Sequence, residues 1–328
     1  MKSAITTSER RRACLFGGAI GDAFGYEVES NNLATIRHRF GPGGLLEPVL
    51  HEGKLIVSDD TQMTLFTLEA ILDCEPSSDQ DAVIGRIRHA YLDWYQTQQD
   101  DAPQLIYTGQ IGLSPVLHVQ RSPGHTCLTA MREGGTGTMD TPINDSKGCG
   151  GVMRVAPIGL FPQRWSVEEV FKLGMRASAI THTHPSGYLS TGLTGAIIRL
   201  LMDGLNLHEA VLQALPLLFD YEGHEETLFK VEQALRLAES ELETIEAIET
   251  LGQGWVGEET LAIAIYAAFR GRDFQHVIGI AANHTGDSDS TASVAGQLFG
   301  AWHGMTDIPQ TWIKSLDIHD ILNGLLEN

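Results

Sequence analysis

The sequence predicts an all-α fold, and three observations carry that prediction. Apolar residues recur with helical period in "TQMTLFTLEAIL", "DAVIGRIRHAYLDWY", "VEEVFKLGMRASAI", "VEQALRLAESELETIEAIETL" and "EETLAIAIYAAFR". No run of alternating apolar and polar residues is paired with hairpin turn chemistry. Small residues also recur every fourth position: Ala13, Gly17, Gly21 and Gly25; Gly187, Thr191 and Gly195; Ala292, Gly296, Gly300 and Gly304. Residues four apart share one helix face, and a glycine inside a helix costs about 0.5–1 kcal/mol relative to alanine. Repeating that cost along one face needs an offsetting gain, and close helix crossing supplies it.

At the N-terminus, Arg10, Arg11 and Arg12 precede a short apolar run, which imitates a secretory leader. The run meets Asp22 within ten residues, without a clear small-x-small cleavage site, and is read as the first buried helix. Loops are expected at 41–54, 99–126 and 133–151, where Gly, Pro and Ser concentrate. The acid-rich stretch from Glu222 to Glu249 is read as a solvated helix face. No linker divides the chain, so 1–328 is read as one domain. No apolar segment approaches the roughly 20 residues of a membrane span. The four cysteines are far apart and lack a CxxC pair, a pattern that suits the reducing cytoplasm. A formal charge of −20, from 42 acids against 22 bases, repels phosphate backbones and makes nucleic acid an unfavourable partner.

The chemistry concentrates at two acidic helix starts. "VSDDTQM" places Ser58, Asp59, Asp60 and Thr61 ahead of one helix, and "GDSDSTAS" places Asp287, Ser288, Asp289 and Ser290 ahead of another. A single Asp or Ser is enough to cap a helix, and paired carboxylates at two sites exceed that need. If the two starts converge, four carboxylates share a small volume and require protons or cations. An all-oxygen ligand set suits Mg²⁺, Ca²⁺ or Mn²⁺ rather than Zn²⁺. Four acids suit two ions about 3.5–4 Å apart. A third acidic segment, "GGAIGDAFGYEVES", carries Asp22 and Glu29.

Six fragments in order over nearly the whole chain resemble the ADP-ribosylglycohydrolase family. They are "GGAIGDAFGYEVE", "SDDTQM", "GCGGVMRVAPIGL", "ASAITHTHPSGYLSTG", "GQGWVGEETLAIAIYAAF" and "NHTGDSDSTASVAGQLFGAWHG". The resemblance implies a single compact, mostly orthogonal helical bundle with two Mg²⁺ ions, or Mn²⁺, in a cleft. It implies that Ser58, Asp59, Asp60, Asp287, Asp289 and Ser290 hold metal. Glu29 matches a family acid near the metals. Ser146, Gly148, Cys149, Gly150, Gly151, Val152 and Met153 match a loop that runs along the ADP-ribose diphosphate; a glycine-rich turn suits an anion because its amides are unobstructed. His182 matches a ligand-facing histidine, and Trp255 is expected along the cleft. Where this chain has Cys149, the family often has Asn.

The implied reaction is hydrolysis of the bond between C1″ of ADP-ribose and a modified protein side chain, arginine first, with Asp60 or Asp59 activating water and Glu29 nearby. The implied partner is an ADP-ribosylated protein. A second setting is immunity, in which an ADP-ribosyltransferase toxin is neutralised by hydrolysis or by binding and blocking it. A non-catalytic relative and a general two-metal phosphohydrolase are weaker alternatives: the acidic clusters are intact, and paired carboxylates alone do not separate C–N from P–O cleavage.

Overall fold

The computed structural model describes residues 5–99 and 107–327. In chain order the helices are α1 (Thr7–Tyr26), α2 (Leu33–Phe40), α3 (Asp59–Asp73), α4 (Gln80–Thr97), α5 (His125–Arg132), α6 (Ala156–Gly159), α7 (Val167–Ala179) and α8 (Pro185–Met202). They continue as α9 (Leu207–Ala214), α10 (Glu225–Ala238), α11 (Thr244–Leu251), α12 (Gly257–Arg270), α13 (Phe274–Ala282), α14 (Ser288–His303), α15 (Gln310–Ser315) and α16 (His319–Glu327). Among the described residues, extended pairing is limited to isolated bridges such as Gly148 with Val256. The all-α expectation therefore holds.

Local chemistry sets the helix starts. Thr6 with Glu9, Ser166 with Glu169 and Asn206 with Glu209 each form a capping box, in which both side chains satisfy orphan amides. The apolar faces behind these starts merge into one contiguous core that extends from Ala13 to Leu322.

The small-residue stripes pack as their spacing predicts. α1 lies along α14 with backbones nearly touching. A β-carbon added at Gly21 would lie 2.1 Å from the Ala292 carbonyl oxygen, and one added at Gly296 would lie 2.1 Å from that of Gly17. Gly25 meets Ser288 in the same way, and Gly300 meets Ala13. Gly304 departs from the stripe: it ends α14 with φ +68° and faces Ile5. On α8, Gly187 faces Lys147 and Thr191 faces Gly151, so this helix seats the 146–151 loop.

One helical run is broken. "VEQALRLAESELETIEAIETL" forms α10 and α11 rather than a single helix. Ser240 causes the turn: its hydroxyl donates to the Leu237 carbonyl (2.8 Å) and accepts from the Leu242 amide (3.3 Å). This local bonding competes with the helix ladder. Of the expected loops, 41–54 contains no helix and 133–151 holds only a 3₁₀ turn at Cys149–Gly151. The 99–126 segment falls partly outside the described residues. Its remainder forms two 3₁₀ turns and enters α5. No described helix is long and apolar enough to cross a membrane, and all four cysteines are free thiols.

Candidate active site

The α1–α14 crossing brings the chain's distant acids together. Gly25, near the end of α1, presses on Ser288 and the Asp289 Cα at the start of α14. One turn earlier, the buried Asp22 carboxylate accepts the Ser58 amide (3.0 and 3.1 Å) and the Thr61 amide (3.0 Å). Asp22 therefore ties the start of α3 to α1, and α1 ties it to α14. In the sequence Asp22 stands out only as an acid inside a glycine-rich apolar helix, which does not reveal this role.

Asp59, Asp60, Asp287 and Asp289 are each at most 4% exposed and line one cavity of about 260 Å³. Asp59 Oδ2 accepts the Gly124 amide at 3.2 Å. Asp60 Oδ2 is buried without a hydrogen-bond partner among the described residues. Asp287 caps α14 through Oδ1, which accepts the Ser290 amide at 3.3 Å; Asp289 Oδ1 accepts the same amide at 3.1 Å. The Asp287 amide donates to the Gln253 carbonyl at 2.8 Å. That turn requires Gly286 at φ +135°, where a β-carbon would also lie 2.1 Å from the Gln253 oxygen.

Burial and mutual repulsion hold these acids toward the protonated form. Burial, followed by the charge of Asp289, raises Asp59 and Asp60 well above the usual carboxylate range. Asp289 is raised well above it by burial and then by Asp287. Burial pushes Asp22 and Asp287 up to about 6. Glu29, half-buried in the turn after α1, is raised to about 7 by burial and then by Asp289. Such clustered, shifted acids mark sites of function.

The site also fits cations. It offers hard oxygen donors, an orphaned buried carboxylate oxygen at Asp60, and buried acids that repel one another unless compensated. Among the described residues, no three Asp, Glu, His or Cys side chains already form a metal cage.

The remaining expected residues divide into those on the cavity wall and those behind it. Glu29, Gly148, Cys149, Gly150, Met153, His182, Trp255 and Ser290 line the cavity. Ser58 caps α3, its hydroxyl accepting the Asp60 amide at 3.2 Å. Ser146 accepts the Gly148 amide at 3.4 Å behind the loop. Val152 is buried in the core, and Gly151 packs against Ser178 and Thr191. Trp255 is 41% exposed at the rim, and its carbonyl accepts the Cys149 amide at 3.2 Å. The cavity also recruits Ser122, Gly124, His125, Thr126 and Cys127, in and just after a stretch read from sequence only as a loop. Their one local signal was a glycine ahead of a helix start.

The family described as ADP-ribosylglycohydrolase matches residues 3–328. The chain is 24% identical to mouse ADP-ribosylhydrolase ARH3 over 350 residues, covering 96% of this chain and 89% of that protein. It is 23% identical to the ADP-ribosylarginine hydrolase Tri1 of Serratia proteamaculans, covering 97% of this chain and 78% of that one. A solved structure titled ADP-ribosylglycohydrolase-related protein complex superposes with a TM-score of 0.67 at 26% identity, covering 98% of this chain and 96% of the other. This chain belongs to the ADP-ribosylglycohydrolase family, a family of hydrolases acting on ADP-ribosyl groups.

Proposed function

We propose that this protein is a Mg²⁺-dependent hydrolase that removes ADP-ribose from modified arginine side chains. The observation that carries the reading is the meeting of Asp59 and Asp60 with Asp287 and Asp289 in one cavity walled by the glycine-rich loop. Ser58, Asp59, Asp60, Asp287, Asp289 and Ser290 would hold two ions, Mg²⁺ or alternatively Mn²⁺. Bound there, the ions would supply charge compensation for the acids and for an oxygen-rich substrate.

This chain's own residues do the rest. The glycine-rich turn at Gly148 to Gly150 lines the cavity, and with the Gly148 and Cys149 amides held by Ser146 and the Trp255 carbonyl, the Gly150 amide is the one left to meet the diphosphate; Trp255 offers an apolar rim. Once cation charge offsets the neighbouring acids and leaves Asp60 ionised, its carboxylate would accept a proton from the attacking water. A C1″–O bond forms as the C1″–N bond breaks. A protonated guanidinium leaves as neutral guanidine and takes its next proton from solvent. Glu29, beyond the four aspartates at the cavity wall, favours a cationic side chain over a neutral serine or acetyl ester. The name of the Serratia relative supports the same linkage.

In a toxin-immunity setting, the intact acids favour hydrolysis over simple blocking. Asp60→Asn that still protects cells from an ADP-ribosyltransferase would favour blocking. The direct test is release of ADP-ribose from arginine-, serine- and O-acetyl-linked substrates, with and without Mg²⁺. Turnover should be confined to the arginine linkage and require the ion; metal-free turnover, or a preference for serine, would reject the corresponding half of the reading.

A further inference from the structure

Arg154 is a buried cation with no ion-pair partner among the described residues. Its side chain is 1% exposed and follows the glycine-rich loop. The guanidinium lies 4.2 Å from the Tyr91 ring centroid. Nη1 approaches Met63 Sδ (3.4 Å) and Cys127 Sγ (3.3 Å); Nη2 donates to Thr181 Oγ1 (2.6 Å) and the Ala177 carbonyl (3.5 Å); Nε has no partner. None of these partners is a carboxylate. Burying an arginine so incompletely compensated is costly, and simple core filling would be better served by an apolar side chain.

The short contact with Thr181 indicates what the arginine does. Guanidinium only donates, so Thr181 Oγ1 must accept from it. The Thr181 hydroxyl hydrogen then has two nitrogen or oxygen acceptors in reach, His182 Nδ1 at 2.7 Å and the Ser178 carbonyl at 3.3 Å, besides the weaker acceptor Cys127 Sγ. The first lies within hydrogen-bond range and the second beyond the usual O–H···O range. Arg154 also polarises that hydroxyl, strengthening it as a donor, and its positive charge disfavours an N–H pointing the same way. Nδ1 is therefore the acceptor, and the imidazole proton sits on Nε2. Nε2 lies against the loop: β-carbons placed on Gly148 and Gly150 would be 3.2 and 3.1 Å from it. The ring lines the cavity, and burial together with Arg154 keeps it neutral, its pKa lowered to about 3.

We propose that Arg154 is a positioning residue that acts through Thr181 to lock His182 as the neutral Nε2–H tautomer, adding a fixed donor for a diphosphate oxygen beside the loop amides. The ligand half of this inference rests on the function proposed above; the tautomer half does not.

Two measurements on the full chain separate the halves. ¹⁵N NMR of His182 without ligand should show a pyridine-type Nδ1 and a pyrrole-type Nε2. Thr181→Val, which keeps the volume but removes the relay, should yield mixed tautomers, and Thr181→Ser should restore the single form. Free ADP-ribose should bind Thr181→Val about ten- to a hundredfold more weakly than wild type, with no further loss when that change is added to His182→Ala. Arg154→Met should mimic Thr181→Val if it folds, and Thr181→Val keeps the test decisive if it does not. A wild-type proton on Nδ1, or an unchanged tautomer in Thr181→Val, overturns the relay. A correct tautomer with equal ADP-ribose affinity in wild type and Thr181→Val overturns the donor role. If wild-type protein binds no ADP-ribose, the functional reading and the donor role fall together, while the tautomer result still decides the relay.

Discussion

Cys149 Sγ donates a 2.9 Å hydrogen bond to Asp287 Oδ2, joining the glycine-rich loop to the acidic start of α14. The thiol thereby occupies an oxygen that the proposed reading gives to a cation. Burial, then the charge of Asp287, pushes the Cys149 thiol well above its usual pKa and keeps it a donor. Cys149→Ala frees that oxygen. We expect its Mg²⁺ affinity by calorimetry to rise about two- to tenfold, the equivalent of one weak hydrogen bond. An unchanged or weaker affinity would mean that the thiol does not compete for the ion.

Removing a central acid should trade activity for stability. Asp60→Asn and Asp289→Asn each take one charge from a buried cluster of like charges. We expect turnover to fall about 10³-fold, in line with loss of a positioned base or ligand. The midpoint of thermal unfolding, measured without metal, should rise, as is common when a strained functional site is relaxed. Near wild-type turnover in both variants at saturating Mg²⁺ would defeat the metal assignment.

The same charges dictate a pH dependence. Asp22 and Asp287 sit near 6 and Glu29 near 7, all above their ordinary values, so the folded state binds these protons more tightly than the unfolded chain does. Their contribution to stability is complete below about pH 4 and lost as pH rises through 6 to 7. The metal-free protein should therefore melt at a higher temperature at pH 5 than at pH 8. Mg²⁺ should raise the melting temperature at pH 8 by mass action and have little effect at pH 5. A melting curve at pH 8 indifferent to Mg²⁺ would contradict cation binding.

Helix crossing and chemistry should fail together. Gly21→Ala puts a methyl 2.1 Å from the Ala292 carbonyl, where backbone rather than a flexible side chain must move. Denaturant unfolding should show a loss of about 1–3 kcal/mol. Because Asp22 is the next residue and Asp289 lies at the head of α14, turnover should fall as well. Gly85→Ala is the matched control: its β-carbon meets nothing within 4 Å, and it should leave turnover unchanged.

The sequence by itself determined the all-α class, the helices α1, α3, α4, α7, α12 and α14, the small-residue faces on which α1 and α14 touch, and the acids at the starts of α3 and α14. These features are local or periodic: a cap, a 3.6-residue repeat and a row of glycines are each visible within a few turns. It also marked Cys149, His182 and Trp255 through order-preserving resemblance, and all three line the cavity. It did not show the break at Ser240, because helix periodicity continues across a turn made by one hydroxyl. It placed Ser146, Gly151 and Val152 with the ligand, whereas the fold sets them behind the wall. It missed Ser122, Gly124 and Cys127. Tertiary structure alone decided which side chains face the cavity, since that depends on the angle at which distant helices cross. It alone showed that Asp22 holds the α3 amides and that Arg154 reaches His182 through Thr181. Those contacts join residues from separate elements, and close packing of the backbones is what brings them within hydrogen-bonding reach.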